Sequence, residues 1–109
     1  MSVLFLPEII VNFLNLVDIL YDKGYFGFEE NAVKYVRELF LEIEKEVPFK
    51  QKKKAPKYFD KYYKGMYYSI FKRNKNTSWY VFYNIFKIGE ETVFFIRLVE
   101  NNHRIAQFF

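Results

Sequence analysis

The groups able to carry chemistry in this chain of 109 residues are few: one histidine, seventeen lysines and arginines, and no cysteine. The histidine, His103, stands beside Arg104 in the closing stretch ENNHRIAQFF. Lys50, Lys52, Lys53, Lys54, Lys57, Lys61 and Lys64 are set among Tyr58, Phe59, Tyr62, Tyr63, Tyr67 and Tyr68, with Asp60 the single acid between them. Lysines neutralise phosphates and aromatic rings stack on bases, so the mixture suits a nucleic acid. The plainer alternative is a solvated basic loop whose rings pack on a sheet edge. Lysine, arginine and one imidazole can hold and polarise a phosphodiester, and a lysine or histidine of shifted pKa can move a proton.

Other chemistries are poorly served. Lack of cysteine removes disulfides, thiol nucleophiles and thiolate metal sites together, and a lone histidine leaves no zinc set. Neither a metal nor a cofactor is expected. There is no glycine-rich phosphate loop. Glu38, Glu42 and Glu46, spaced by four, read as the solvated side of a helix. Ser2, Ser69, Thr77, Ser78 and Thr92 have no neighbouring base to activate them. The run VLFLPEIIVNFLNLVDIL contains Glu8, Asn12, Asn15 and Asp18, is broken by Pro7 and has no basic residue before it. It therefore reads as neither a membrane span nor a signal segment, and a cytoplasmic location is expected.

Charge is unevenly divided. Residues 1–47 hold four Lys/Arg against nine Asp/Glu, a net of −5, whereas residues 48–109 hold thirteen against four, a net of +9. An acidic half and a basic half imply one face for a polyanion. With 51% hydrophobic and 23% aromatic residues, the chain has the means to build one modest core in a single domain.

The elements that must position these groups follow from periodicity. SVLFL (2–6) reads as a strand ended by Pro7, which suits the first turn of a helix, with Glu8 favoured by the helix dipole. Ile9, Ile10, Phe13, Leu14, Val17 and Leu20 then recur at helical spacing. The glycines of DKGYFG break this helix, and a second opens at Glu29 and Glu30. Its stripe is Ala32, Val33, Val36, Leu39, Phe40, Ile43 and Val47, and Pro48 stops it. Residues 49–64 form a basic connector with at most a helical turn. Strands are expected at 66–73, 77–87 and 91–99, with HRIAQFF a further short strand or a tail. The fold class is thus α+β: strand, helix, helix, then a three- to four-stranded antiparallel meander, both helices on one face of the sheet and the other face open.

A turn at 87–90 would pair Phe86 near Glu91. Alternation then puts Trp79, Val81, Tyr83 and Ile85 with Phe94, Ile96 and Leu98 beneath the helices. Tyr80, Phe82, Asn84, Phe95 and Arg97 fall on the open face, with Tyr80 opposite Arg97. That face is either a surface that stacks bases and contacts phosphate, or simply a cross-strand Arg–Tyr pair.

In this order of elements, and in SWYVFYNIFKIGEETVFFIRLVENNHR and PKYFDKYYKGMYYSIF, the chain resembles divergent members of the RelE/ParE toxin superfamily. The resemblance implies one half of a type II toxin–antitoxin pair, with a cognate antitoxin as partner and RNA or the ribosome as target. It further implies ribosome-dependent mRNA cleavage without metal. By position it assigns phosphate binding to Lys52, Lys53 and Lys54 and the working C-terminal end to His103 and Arg104; the basic run and the open sheet face add Lys57 and Tyr80 as RNA contacts and Arg97, beside His103 and Arg104, as a catalytic candidate. Phe108 and Phe109 form the family's C-terminal end here. Two departures stand out: Tyr80 occupies a position where relatives often carry arginine, and Phe108 and Phe109 bring no hydroxyl. The alternatives are a ParE-like inhibitor of gyrase and a catalytically silent RNA-binding or interaction domain.

Overall fold

A computed structural model describes residues 1–109. Strand β1 (Ser2–Phe5) leads into α1 (Pro7–Asp22) and α2 (Glu29–Glu46), and a basic link carries the short strand β2 (Lys53–Lys54). β3 (Tyr67–Lys72), β4 (Ser78–Ile88) and β5 (Glu91–Asn101) follow, and α3 (Asn102–Ile105) comes last. The five strands form one mixed sheet in the order β1-β5-β4-β3-β2, with β1 parallel to β5 and every other pair antiparallel. The class is α+β, and no helix is long and apolar enough to cross a membrane.

Both long helices lie on one face. Ile9 and Phe13 of α1 and Val36, Leu39 and Ile43 of α2 pack on Phe71, Trp79, Val81, Tyr83, Phe94 and Ile96. The apolar stripe of α1 is turned from the expected one: Ile10 and Leu14 point to solvent, while Leu16 joins Val17 and Leu20 against the core. A helix apolar on nearly every side lets its neighbours choose the buried stripe. Glu38 and Glu42 are also more than a solvated face, since both ion-pair with Arg73 at 3.7 and 3.5 Å.

The hairpin between β4 and β5 is tighter than expected. Both strands run on to Ile88 and Glu91, and Gly89 takes a φ of 63° at the first loop position, where glycine carries no steric cost. The resulting two-residue shift of register leaves the side chains on the faces anticipated for them. Between Tyr83↔Ile96 and Phe82↔Leu98, however, β5 has one residue too many: Arg97 is a β-bulge. Beyond it the faces exchange. Leu98 leaves the helix face and Val99 takes its place, while Tyr80 lies opposite Glu100 and not Arg97.

The second sheet face is not open. Phe59, Met66, Tyr68, Phe82 and Ile105 form a second buried cluster on it, with Ala55, Ile70, Leu98 and Phe108 around them. Phe59 comes from the 3-10 turn of the basic link and Ile105 from α3, so two helical segments outside the strands cover this face. HRIAQFF is accordingly helical and not a strand: α3 is followed by a 3-10 turn over Ala106–Phe108.

Candidate nucleic-acid interface

The link owes its path to a few anchors. The Ser69 hydroxyl donates to the Gln51 carbonyl at 3.0 Å and accepts from the buried Tyr83 hydroxyl at 2.7 Å. β2 then pairs Lys53 with Tyr68 and Lys54 with Tyr67, and the Ala55 N–H donates to the Met66 carbonyl at 3.0 Å. Pro56 opens a 3-10 turn, Lys57–Lys61, that drives Phe59 onto Phe82 with ring centroids 4.4 Å apart. The turn closes where the Gly65 N–H, at a φ of 74°, donates to the Asp60 carboxylate at 3.3 Å. Asp60, the one acid of the basic run, is thus a turn residue. With Phe59 anchored, Tyr58, Tyr62 and Tyr63 are left exposed.

The far wall is α3. Asn101 caps it by accepting from the Arg104 N–H at 3.1 Å, and Asn102 accepts from the Ser78 N–H at 2.9 Å. An asparagine at this position satisfies an N–H that the first turn cannot. These two asparagines hold His103 and Arg104 outward while Ile105 is buried.

Between the two walls lies a cleft of roughly 410 Å³. Tyr58 and Tyr62 form one side and His103 and Arg104 the other, with Leu98 and Glu100 of β5 also lining it. Tyr58 is stacked on Phe108 at 3.8 Å between centroids, nearly parallel. Lys61 donates to the Tyr58 hydroxyl at 2.7 Å and lies 4.1 Å over its ring. That hydrogen bond raises the lysine's pKa, so its charge is secure at neutral pH.

Glu100 is the only carboxyl in the cleft. It sits 3.7 Å from Arg104. Burial pushes its pKa above the ordinary glutamate value, with Arg104 pulling the other way. The bulge at Arg97 is what turns Glu100 toward this side, opposite Tyr80.

The site residues expected from the sequence are dispersed. His103 and Arg104 share the cleft, whereas Arg97, Lys52, Lys53, Lys54 and Lys57 do not line it. Arg97 has its guanidinium 3.9 Å over the Tyr63 ring and 4.9 Å over Phe95, and its Nε donates to Asn84 Oδ1. In that position it clamps the link to the sheet. Lys52 lies 6.0 Å over Phe94, on the helix face, while Lys53 and Lys54 are exposed on the edge strand and Lys57 at the start of the 3-10 turn. Tyr80 is packed between Tyr68 at 5.7 Å and Phe109 at 5.1 Å. Its face is thus occupied by the protein's own rings.

Sequence reasoning missed Glu100, Tyr58 and Tyr62 as members of one site. The Asn101–Asn102 pair was the available sign that a helix cap, and not a strand, presents His103. No group of three or more His, Cys, Asp or Glu side chains converges as a metal set. No protein-family model matches the chain, and no curated protein or solved structure is significantly similar to it.

Chemically, the cleft offers one ring with room to stack, Tyr62, since Tyr58 already has Phe108 on its ring and Lys61 over it, beside His103 and Arg104 and one carboxyl whose pKa burial raises. Rings of this kind stack on bases, and arginine binds a phosphate through two parallel N–H donors.

Proposed function

We propose that the protein is a RelE/ParE-like toxin that acts on RNA, cutting mRNA on the ribosome without a metal. The observation that carries this reading is the cleft itself, in which Tyr58 and Tyr62 of the basic link face His103 and Arg104 of α3. The order of elements also supports it, being the strand, two helices, basic link and antiparallel meander that the resemblance implies. In this reading Tyr62 stacks on an exposed base, Tyr58, already stacked on Phe108, holds Lys61 at the cleft, and Lys53, Lys54, Lys57 and Lys61 neutralise the backbone on either side. Arg104 binds the scissile phosphate. Cleavage by the neighbouring 2′-hydroxyl needs one group to take that proton and another to protonate the departing 5′-oxygen. Glu100 and His103 are assigned those two roles, and Arg97 the role of holding the link in place.

The cognate antitoxin is assigned to the outer face of α1. The filled second sheet face leaves no broad apolar patch there, whereas Ile10, Val11 and Leu14 stand exposed on α1. A contiguous apolar surface of this kind marks a protein partner. It also favours a second reading, in which the chain inhibits gyrase by binding alone. Inducing the protein and mapping mRNA 5′ ends by primer extension, with a supercoiling assay in parallel, separates the two. New 5′ ends with normal supercoiling support RNA cleavage; inhibited supercoiling with intact mRNA supports the second reading.

A further inference from the structure

A second and larger groove lies where β1 gives out. β1 pairs with β5 only over Val93–Ile96, and the chain leaves the sheet at Leu6, whose N–H donates to the Ile96 carbonyl at 3.1 Å. β5 continues to Asn101 with β4 on one side and no strand on the other. α1 runs beside this free stretch, but a helix with its side chains is about 10–12 Å across and cannot fill a slot one strand wide. The space left between them is roughly 660 Å³, within the range of about 300–1,000 Å³ occupied by small-molecule sites.

The lining is divided by chemistry. Ile9, Phe13, Leu16 and Leu20 of α1 and Trp79 and Val99 of the sheet make the apolar part of the lining, and four asparagines and Thr77 add neutral polar groups. Besides two tyrosines, the only titratable groups at the rim are Lys23, His103, Arg104 and Glu100. Glu100 is paired with Arg104 at 3.7 Å, and Lys23 makes no ion pair. A single free ammonium at the mouth of a partly apolar slot stands out in the half of the chain whose net charge is −5. It matches one negative charge and leaves a dianion undercompensated.

We infer that the groove between α1 and the free end of β5 binds a small amphipathic carboxylate, apolar body inward and anionic head at Lys23. This rests on the groove's own lining and is independent of the RNA reading, although the groove and the RNA cleft meet at α3.

Trp79, the only tryptophan, is built into the wall, where its Nε1 donates to the Tyr35 hydroxyl at 3.0 Å. Its emission is therefore the readout. The whole protein is titrated with sodium decanoate and with 1-decanol, which has the same ten-carbon body and no charge. The expected result is a saturable change in Trp79 emission with decanoate and binding weaker for decanol by up to about fivefold, the upper end for one exposed charge pair. Lys23→Glu, a substitution at an exposed turn, should weaken decanoate at least as much as loss of the probe's charge does and leave decanol unchanged. No saturable change, equal binding of the two probes, or undiminished decanoate binding by Lys23→Glu would each overturn the inference.

Discussion

Replacing Phe59 by alanine tests whether the basic link is part of the fold or a loop lying over it. Phe59 is 1% exposed. Its ring is stacked on Phe82 at 4.4 Å and lies within 5.0 Å of Tyr58, 5.5 Å of Phe109 and 6.3 Å of Phe108. Burying such a side chain contributes roughly 1.5–3 kcal/mol by transfer alone. Each well-placed ring pair adds about 0.5–1.5 kcal/mol, and the cavity left behind adds more. The total expected for Phe→Ala is about 3–5 kcal/mol, a large part of the roughly 5–15 kcal/mol that holds a domain folded. With a urea slope of about 2 kcal/mol/M the midpoint should fall by about 2 M. Equilibrium urea denaturation followed by circular dichroism gives the answer, and Phe59→Leu, which keeps most of the apolar volume, should lose less than half as much. A loss below about 1 kcal/mol for Phe59→Ala, close to the roughly 0.5 kcal/mol of a surface change, would mean that the link does not seal the second sheet face.

Three further outcomes follow from the site. His103→Ala and Arg104→Ala should each abolish toxicity and mRNA cleavage while changing stability by less than about 0.5 kcal/mol, because both side chains are exposed and the ion pair of Arg104 is at the surface; unaltered toxicity would remove them from the mechanism. Lys53, Lys54 and Lys57 changed together to alanine should lower the log–log salt slope of RNA binding by about 0.7 for each phosphate no longer neutralised, whereas an unchanged slope would put the polyanion elsewhere. Glu100 concerns pH: its carboxyl is raised by burial, so the folded state binds more protons than the unfolded chain just above the ordinary glutamate range, and stability falls as pH rises through that window. Glu100→Gln does not titrate, so denaturation at pH 4 and pH 7 should show the variant gaining on wild type at the higher pH; a difference independent of pH would contradict the assigned burial.

Much of the fold was legible because periodicity and burial agree along long elements. Val36, Leu39 and Ile43 in α2, and Trp79, Val81 and Tyr83 in β4, occupy the core their spacing implies. α1 was less legible, since Ile10 and Leu14 are as apolar as Ile9 and Leu16 and only packing decides between them. The bulge at Arg97 carries no glycine or proline to announce it. Its effect is nonetheless large, because exchanging the faces of the last residues of β5 puts Leu98 in the second cluster and Glu100 in the cleft. The basic link looked unstructured because its lysines outnumber its anchors, yet Phe59, Met66 and the hydrogen bond from Ser69 to the Gln51 carbonyl suffice to fix it. His103 and Arg104 were legible as a pair. That they meet Tyr58 and Tyr62 depends on two long-range ring stacks, Phe59 on Phe82 and Tyr58 on Phe108, which sequence spacing does not encode.

The measurement that bears most directly on the RNA reading is photo-crosslinking of a short 4-thiouridine RNA to the whole protein, with the attached peptides identified by mass spectrometry. The cleft predicts adducts on the peptides carrying Tyr58 and Tyr62 and on the closing segment carrying His103. Adducts confined to the helices α1 and α2, or none at concentrations that saturate binding, would contradict it.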